Sequence, residues 1–461
     1  MFVQNVEFDK KLLEKYNIPC PRYTSYPTAK QFSDTYSEKD HINNLLNSNK
    51  SLSPISLYFH IPFCSRLCYY CACNKVHTKK SSKASTYLQY LHKEIELQSK
   101  HLDKKRPVTQ LHWGGGTPTF ISHNEIIDLM QKIRLHFNLL DHDRGEYAIE
   151  VDTRTVTIHT IDMLRKLGFN KISLGIQDFD HKVQEAVNRS QSEAHIIEIF
   201  NRIRLNKFNS ICLELIYGLP FQTVLSFEKT ITKTIELNPD RISLYSFAYL
   251  PEQFTPQKKI NKINLPSPKE KLDLLQMSIS KLNQAGYVNI GMDHFAKKED
   301  QLAIAQRKDS LYRNFQGYST HSQCDLIAMG ASGISHIGMQ YAQNVINLNQ
   351  YYDMIDHQKI PIAKGIIINK DDQIRKLIIH SLICHFSLRY KEIESLHKEL
   401  VFKEYFKSEL IKLKHYENDK LVILSKDSIN ITPKGRLLIR NICSVFDKYY
   451  TNTRSPFSKA I

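Results

Sequence analysis

Four of the nine cysteines in this 461-residue chain, Cys64, Cys68, Cys71 and Cys73, fall within ten residues. Random placement would put roughly 0.2 in such a window. Three of them form a C-x₃-C-x₂-C loop, Cys64-Ser65-Arg66-Leu67-Cys68-Tyr69-Tyr70-Cys71. Thiolates at that spacing can hold three corners of an Fe₄S₄ cubane and leave the fourth iron open to a small molecule. The competing chemistry is a single tetrahedral zinc with Cys73, His60 or His77 as fourth ligand, although zinc sites more often pair two C-x₂-C units. A second feature is Gly114-Gly115-Gly116-Thr117-Pro118, three adjacent glycines in a chain that has only 15. One glycine would satisfy a turn; three read as a backbone that approaches a ligand closely.

The elements that must hold these residues are legible from periodicity. Short β-rich runs occur at residues 55–61, 108–113, 147–151, 171–176, 211–217 and 242–247. Helical patterns lie between them, such as Tyr87, Leu88, Leu91, Ile95 and then Ile126, Leu129, Met130, Ile133. Strand and helix alternating about six times predict a parallel sheet with right-handed crossovers, open or curled into a barrel. The cysteine loop follows the first run directly, after Pro62, so it belongs at the carboxyl end of a strand, where such barrels place their chemistry. Residues 1–50 read as an extended arm, and its segment 21–28, with two prolines and no helical period, as a surface crossing. Residues 51–300 form the core, and 301–365 a barrel-closing and substrate-site segment. Residues 366–461 form a mostly helical, winged-helix-like domain with a hairpin at 421–424 and 428–432 and a helix from Pro433.

Hydrophobic residues at 41% and charged residues at 24% exclude disordered and fibrous classes. No apolar run approaches the ~18 residues of a membrane span, and the charged N-terminus lacks a signal-type apolar stretch, so a soluble cytoplasmic chain is expected. Sixty-three Lys and Arg against 47 Asp and Glu give a net charge of +16, which suits an anionic partner. The basic residues are scattered in short clusters such as Lys104-Lys105-Arg106 rather than along a stripe, which argues against nucleic acid. A zinc-containing nucleic-acid binder stays open at this point.

Cys64, Cys68 and Cys71 after the first strand, with the glycine run after the second, resemble the radical S-adenosylmethionine (SAM) enzymes. Residues 21–28, 58–74, 112–119, Gly175-Ile176-Gln177-Asp178-Phe179, 215–220, Gly291-Met292-Asp293-His294-Phe295-Ala296, 314–318 and 434–443 carry the resemblance further, to the oxygen-independent coproporphyrinogen III oxidase family, over nearly the whole chain. That family implies an α/β fold: a partial (β/α)₆ radical-SAM barrel with an N-terminal arm and a helical C-terminal domain. It implies a 4Fe–4S cluster on Cys64, Cys68 and Cys71, whose open iron chelates SAM. One electron then yields methionine and a 5′-deoxyadenosyl radical. This radical takes a hydrogen atom from a substrate propionate, and loss of CO₂ and an electron leaves a vinyl group. Two rounds convert coproporphyrinogen III to protoporphyrinogen IX in haem biosynthesis. By matching position, Tyr58, Gly115, Glu150 and Ile334 line the first SAM. Tyr70, Gly116, Thr117, Gln177, Arg189, Glu214 and Ala248 match a second SAM pocket. On sequence alone a plain surface charge is the stronger reading for both Glu150 and Arg189.

The sequence departs from the family pattern at Tyr70 (usually phenylalanine), Ala72 (glycine), Glu214 (aspartate) and Thr153 (proline). A related haem-chaperone group shares the cluster motif, but Cys73 and the arm argue for the oxidase. Arg22 is a candidate clamp for a substrate carboxylate. The expected partners are coproporphyrinogen III and an electron donor such as a flavodoxin or ferredoxin, and the chain is expected to be a monomer.

Overall fold

Alternation of apolar and polar residues gives each β-rich run two different faces. A computed structural model describes residues 6–451 and 457–459. Six strands, β1 (Ile55–Ile61), β2 (Pro107–Gly115), β3 (Glu146–Val151), β4 (Lys171–Gln177), β5 (Ser210–Tyr217) and β6 (Arg241–Ser246), pair side by side in that order, all parallel. One face of these strands, including Leu57, Phe59, Leu111, Trp113, Ile149 and Leu174, is almost fully buried under the crossover helices. The other face is polar and forms the lumen. Its lower part is a hydrogen-bonded ladder in which Ser56 donates to Gln110 (2.8 Å), Gln110 to Glu146 (3.2 Å) and Lys171 to Glu146 (2.5 Å).

The helices Ser81–Ser99 and His123–His136 bury the apolar residues their 3.6-residue period indicated, and Ser122 and Glu125 close a capping box on the second. Beyond β6 the sheet continues antiparallel through β7 (Tyr287–Gly291) and β8 (His294–Lys297). A hairpin of β9 (Tyr312–Asn314) and β10 (Gly317–Ser319) follows. Then β11 (Asp325–Met329) pairs parallel with β1 on its free side, and the antiparallel strands β12 (Ile334–Ile337), β13 (Gln340–Asn344) and β14 (Ile362–Ile367) complete the sheet. The order is β7-β8-β6-β5-β4-β3-β2-β1-β11-β12-β13-β14, and the two ends do not pair, so the barrel is open. Besides a two-residue strand, Asn138–Leu139, that pairs parallel with the start of β2, seven longer parallel strands thus stand where periodicity indicated six. The seventh escapes a sequence reading because β11 is five residues long and leads into a hairpin rather than a helix.

The arm differs from the expectation of an extended surface crossing. It contains helices at Lys10–Lys15 and Glu38–Ser48. Its segment 21–28 is largely buried, with Tyr23 at 4% and Tyr26 at 2% exposure. The reason is a clasp from the far end of the chain. The Arg440 guanidinium donates to the carbonyls of Cys20 and Pro21, and Tyr23 donates to Asp447 (3.2 Å). The expected C-terminal hairpin forms as Val422–Leu424 with Ser428–Ile431, joined by a third strand, Ser387–Arg389. The following helix starts later than Pro433, as a 3₁₀ turn at Arg436–Leu438 and then Ile439–Ser444. The Thr432 hydroxyl accepts from the Gly435 amide and holds the intervening residues in a turn.

Candidate active site

Because β1 to β6 are parallel, their carboxyl ends gather at one mouth, and the cysteine loop leaves β1 there. The loop is fixed by backbone hydrogen bonds to the glycine run: Gly116 N–H donates to Ile61 and Thr117 N–H to Phe63, both at 2.9 Å. This closeness gives the three glycines a second purpose beyond ligand approach. A Cβ on Gly116 would lie 2.6 Å from the Pro62 carbonyl oxygen, and one on Gly115, at φ +121°, would meet the His60 ring and the Ile61 carbonyl. A Cβ on Gly114 would sit 2.9 Å from the Glu150 carboxylate. The run is needed for strand-to-loop packing whether or not a ligand is bound.

Each thiol has its own surroundings. Cys64 lies 3.5 Å from the Thr117 hydroxyl, and burial pushes its thiol up to about 11. Cys68 is buried and receives Arg154 and Arg189, each at 3.4 Å. For Cys71 a hydrogen bond from Cys73 is the leading cause of a drop to about 6, with the Lys75 cation acting in the same direction and burial opposing both. The cations are unevenly placed: two guanidiniums stand at Cys68 and the Lys75 ammonium near Cys71, where it helps the thiolate, the form in which cysteine binds metal, while burial opposes that form at Cys64. His60 does not fit the zinc reading, since its Nδ1 meets the Tyr58 hydroxyl and its Nε2 the Asn74 carbonyl, both at 3.0 Å. Among the described residues no three His, Cys, Asp or Glu side chains converge on a point where one ion would sit. Cys64, Cys68 and Cys71 all face the same cavity, as thiolates on three irons of one cubane must.

All the expected site residues except Tyr58 and Ile334 border one cavity of about 790 Å³ at the barrel mouth. Tyr58 and Ile334 line an adjoining cavity of about 410 Å³, with Glu150 and Arg22 on the boundary between the two. Arg22 also borders a third cavity, of about 520 Å³, and pairs with Asp293. Glu150 is not a surface charge. Its carboxylate accepts from the Gly115 amide (3.3 Å) and meets His112 Nε2 (3.0 Å), while the rest of it faces the cavities. Arg189 is 6% exposed, and Gly175 leaves room for it: a Cβ there would lie 2.8 Å from its Nη2. Gln177 has a buried Oε1 without a partner in the same cavity, and such orphaned atoms point to a ligand. Glu214 accepts from Ser173 (2.7 Å); burial and then the Glu150 charge raise its pKa.

Sequence reasoning missed His112, Ser173, Asp152 and Arg154. Their signal was available for the first two, which stand at lumen positions in the strand alternation. Asp152 joins Arg154 (2.6 Å) and Arg189 (3.2 Å) beneath Cys68. Burial alone would raise its pKa, but the two guanidiniums overrule burial and bring it down to about 2. With the folded value below the unfolded 3.8, its contribution is present above pH 4 and lost as pH falls toward 2. Denaturant titrations should therefore show wild-type stability falling by about 1 kcal/mol more than that of Asp152→Asn between pH 5 and pH 3. Equal slopes would show that the aspartate is not held in this way.

The open parallel barrel with a three-cysteine loop after its first strand defines a radical SAM protein, and residues 58–233 match the model of the Radical SAM superfamily. That class implies a 4Fe–4S cluster and SAM. The chain is 46% identical to the oxygen-independent coproporphyrinogen III oxidase of Pseudomonas aeruginosa over 460 residues, covering 100% of both chains. It is 47% identical to the oxidase of the same name from Escherichia coli, covering 97% of each. The solved coproporphyrinogen III oxidase of Escherichia coli, described as a radical SAM enzyme, superposes with a TM-score of 0.92 at 44% identity, over 97% of this chain and 100% of that one. The chain belongs to the oxygen-independent coproporphyrinogen III oxidase family. No described helix is long and apolar enough to cross a membrane.

Proposed function

We propose that the protein decarboxylates two propionates of coproporphyrinogen III to vinyl groups without oxygen, giving protoporphyrinogen IX in haem biosynthesis. The observation that carries this reading is the gathering of Cys64, Cys68 and Cys71 on one cavity with Glu150, Gln177 and Arg189, in a chain that matches oxidases of that name end to end. The cluster and SAM supply the one-electron cleavage chemistry. Cys64, Cys68 and Cys71 hold the cluster, and Tyr58, Gly115, Glu150 and Ile334 line the first SAM. Glu150 offers a carboxylate already oriented by His112 and the Gly115 amide.

Tyr70, Gly116, Thr117, Gln177, Arg189, Glu214 and Ala248 line a second SAM site. In support, the partnerless Gln177 oxygen and the Arg189 guanidinium border the same space, and Arg189 suits a methionine carboxylate. The enzyme works as a cytoplasmic monomer fed by a flavodoxin or ferredoxin. Anaerobic incubation with coproporphyrinogen III, SAM and a reductant, followed by mass analysis, should show two successive losses of CO₂. Haem binding without that product would instead support the chaperone reading.

Arg22 serves as a substrate-carboxylate clamp, a reading supported by its position where three cavities meet. A carboxylate there must share the guanidinium with Asp293, so a modest effect is expected. Arg22→Ala should weaken porphyrinogen binding about tenfold more than it weakens SAM binding. The reverse ranking would remove Arg22 from the substrate site.

A further inference from the structure

Tyr69 and Tyr70 stand side by side between Cys68 and Cys71, yet Tyr70 borders the main cavity and Tyr69 does not. Tyr69 instead joins a surface built from three other segments. Its amide donates to the Val187 carbonyl (3.0 Å), and the Asn188 side chain donates to the Leu67 carbonyl (2.9 Å), which ties the cysteine loop to the end of the short helix His181–Ala186. Gln257, in the 3₁₀ turn Thr255–Lys259, donates to the Tyr70 carbonyl (3.3 Å). Tyr69 and Phe221 both pack, half-buried, on one apolar cluster that includes Val183, Val187, Leu219 and Ile260. The Phe221 amide donates to the Asn264 carbonyl (2.8 Å), which brings the turn Lys262–Asn264 against it. Ile263 in that turn is 84% exposed, and Leu225, four residues after Phe221, is 67% exposed. A lone exposed apolar side chain needs no explanation, but aromatic and aliphatic ones gathered around one loop mark an interaction surface.

Cations border this surface. Lys182 Nζ lies 4.3 Å from the centre of the Phe221 ring and Lys259 Nζ 5.1 Å from that of Tyr69. Lys262 and, on the cysteine loop itself, Arg66 are exposed. None of these four makes an ion pair among the described residues. The acidic groups on the same segments are few. Glu252 pairs with Lys258 (3.6 Å), Asp180 is spent on capping the short helix through the Lys182 and Val183 amides, and Glu185 faces His181 (3.6 Å). The balance is positive, and a surface with an apolar middle and a basic edge fits a partner with an acidic one.

We propose that the surface formed by Tyr69, Phe221 and Ile263, edged by Lys182, Lys259 and Lys262, docks a small acidic electron-transfer protein that serves as the one-electron donor. The inference rests on the cluster reading above and not on the identity of the porphyrinogen. Hydrogen bonds join the surface to the same loop that carries Cys68 and Cys71, so a carrier seated there meets the side of that loop turned away from the cavity. No bond forms or breaks in the docked complex: one electron leaves the partner's carrier, which is oxidised, and enters the cluster. Complexes of this kind have small interfaces and are steered by charge, so they form and part quickly.

The test uses the anaerobically reconstituted protein, a reduced flavodoxin as probe, and dithionite as a small reductant that needs no docking. Two charge-reversed pairs alter the net charge equally. Lys259→Glu/Lys262→Glu lies on the surface. Lys79→Glu/Lys80→Glu lies on the exposed stretch after Thr78, whose amide donates to the Cys64 carbonyl (3.0 Å) at the other end of the loop. The first pair should raise the flavodoxin concentration needed for half-maximal 5′-deoxyadenosine formation by about 10- to 100-fold, the second by less than about threefold. Neither should change the dithionite-driven rate. Calorimetry with oxidised flavodoxin should rank the variants in the same order, and wild-type affinity should fall with salt more steeply than that of the first pair. Ile263→Ser should weaken flavodoxin binding by about 3- to 10-fold and leave the salt dependence as it is.

Unchanged flavodoxin binding in Lys259→Glu/Lys262→Glu overturns the proposal. An equal loss in Lys79→Glu/Lys80→Glu also overturns it, since overall charge would then be the cause. Should the first pair lose dithionite-driven cleavage as well, Ile263→Ser decides, with full flavodoxin affinity counting against the surface. Wild type that cleaves SAM with dithionite but binds no flavodoxin sinks this inference alone. Wild type that neither reductant drives to cleave SAM sinks the cluster reading and this inference together, whereas intact flavodoxin-driven cleavage without loss of CO₂ sinks only the porphyrinogen reading.

Discussion

Serine at Cys64, Cys68 or Cys71 should each lower vinyl-product formation by at least about 1,000-fold, the scale on which losing one member of a catalytic unit acts. The three losses should be equally complete, because a cubane missing one protein ligand cannot present a single open iron. Folding should be spared, since serine is nearly isosteric with cysteine and the loop is held by backbone bonds from Gly116 and Thr117 that no thiol makes. Cys68 is the stringent case: its sulfur takes a hydrogen bond from each of Arg154 and Arg189, and these arginines still have Asp152 as counter-charge when the sulfur is gone. Cys73→Ser should keep wild-type iron, close to four per chain. Iron analysis and electron paramagnetic resonance of the reduced protein, with and without SAM, read all four variants. Normal iron in Cys68→Ser with iron loss in Cys73→Ser would reassign the ligand set.

Glu150→Gln should weaken SAM binding by about 10- to 100-fold, the difference between a charge-assisted and a neutral hydrogen bond. Glutamine keeps the size and can still accept from the Gly115 amide, so the change isolates the charge. A companion variant tests position instead of charge. Gly114→Ala places a Cβ 2.9 Å from the same carboxylate, and the glutamate must move. Comparable losses in both variants would show that charge and placement are each required. Calorimetric titration with SAM under anaerobic conditions measures them. Unchanged affinity in Glu150→Gln would leave the residue with only its bonds to His112 and Gly115.

How far the sequence reaches depends on how local each signal is. The cysteine loop spans eight residues and can be read without knowing what lies around it. The first six strands are also local: residues 55–61 coincide with β1, and the other five runs end within two residues of the observed strands, because alternation is written into each run. The arm shows the opposite. Proline content and missing helical period indicate an irregular segment correctly, but not its burial, because the partners of Cys20, Pro21 and Tyr23 are Arg440 and Asp447, more than 400 residues away.

The amino-acid sequence alone determined the three-cysteine loop, the six alternating strands of the barrel and the family, since each is encoded by residue types at short, fixed separations. Tertiary structure alone decided which charges meet. It set Arg154 and Arg189 on Cys68 over Asp152 and tied Arg22 to Asp293. Those pairings depend on distances between side chains far apart along the chain, and spacing in sequence has no means of recording them.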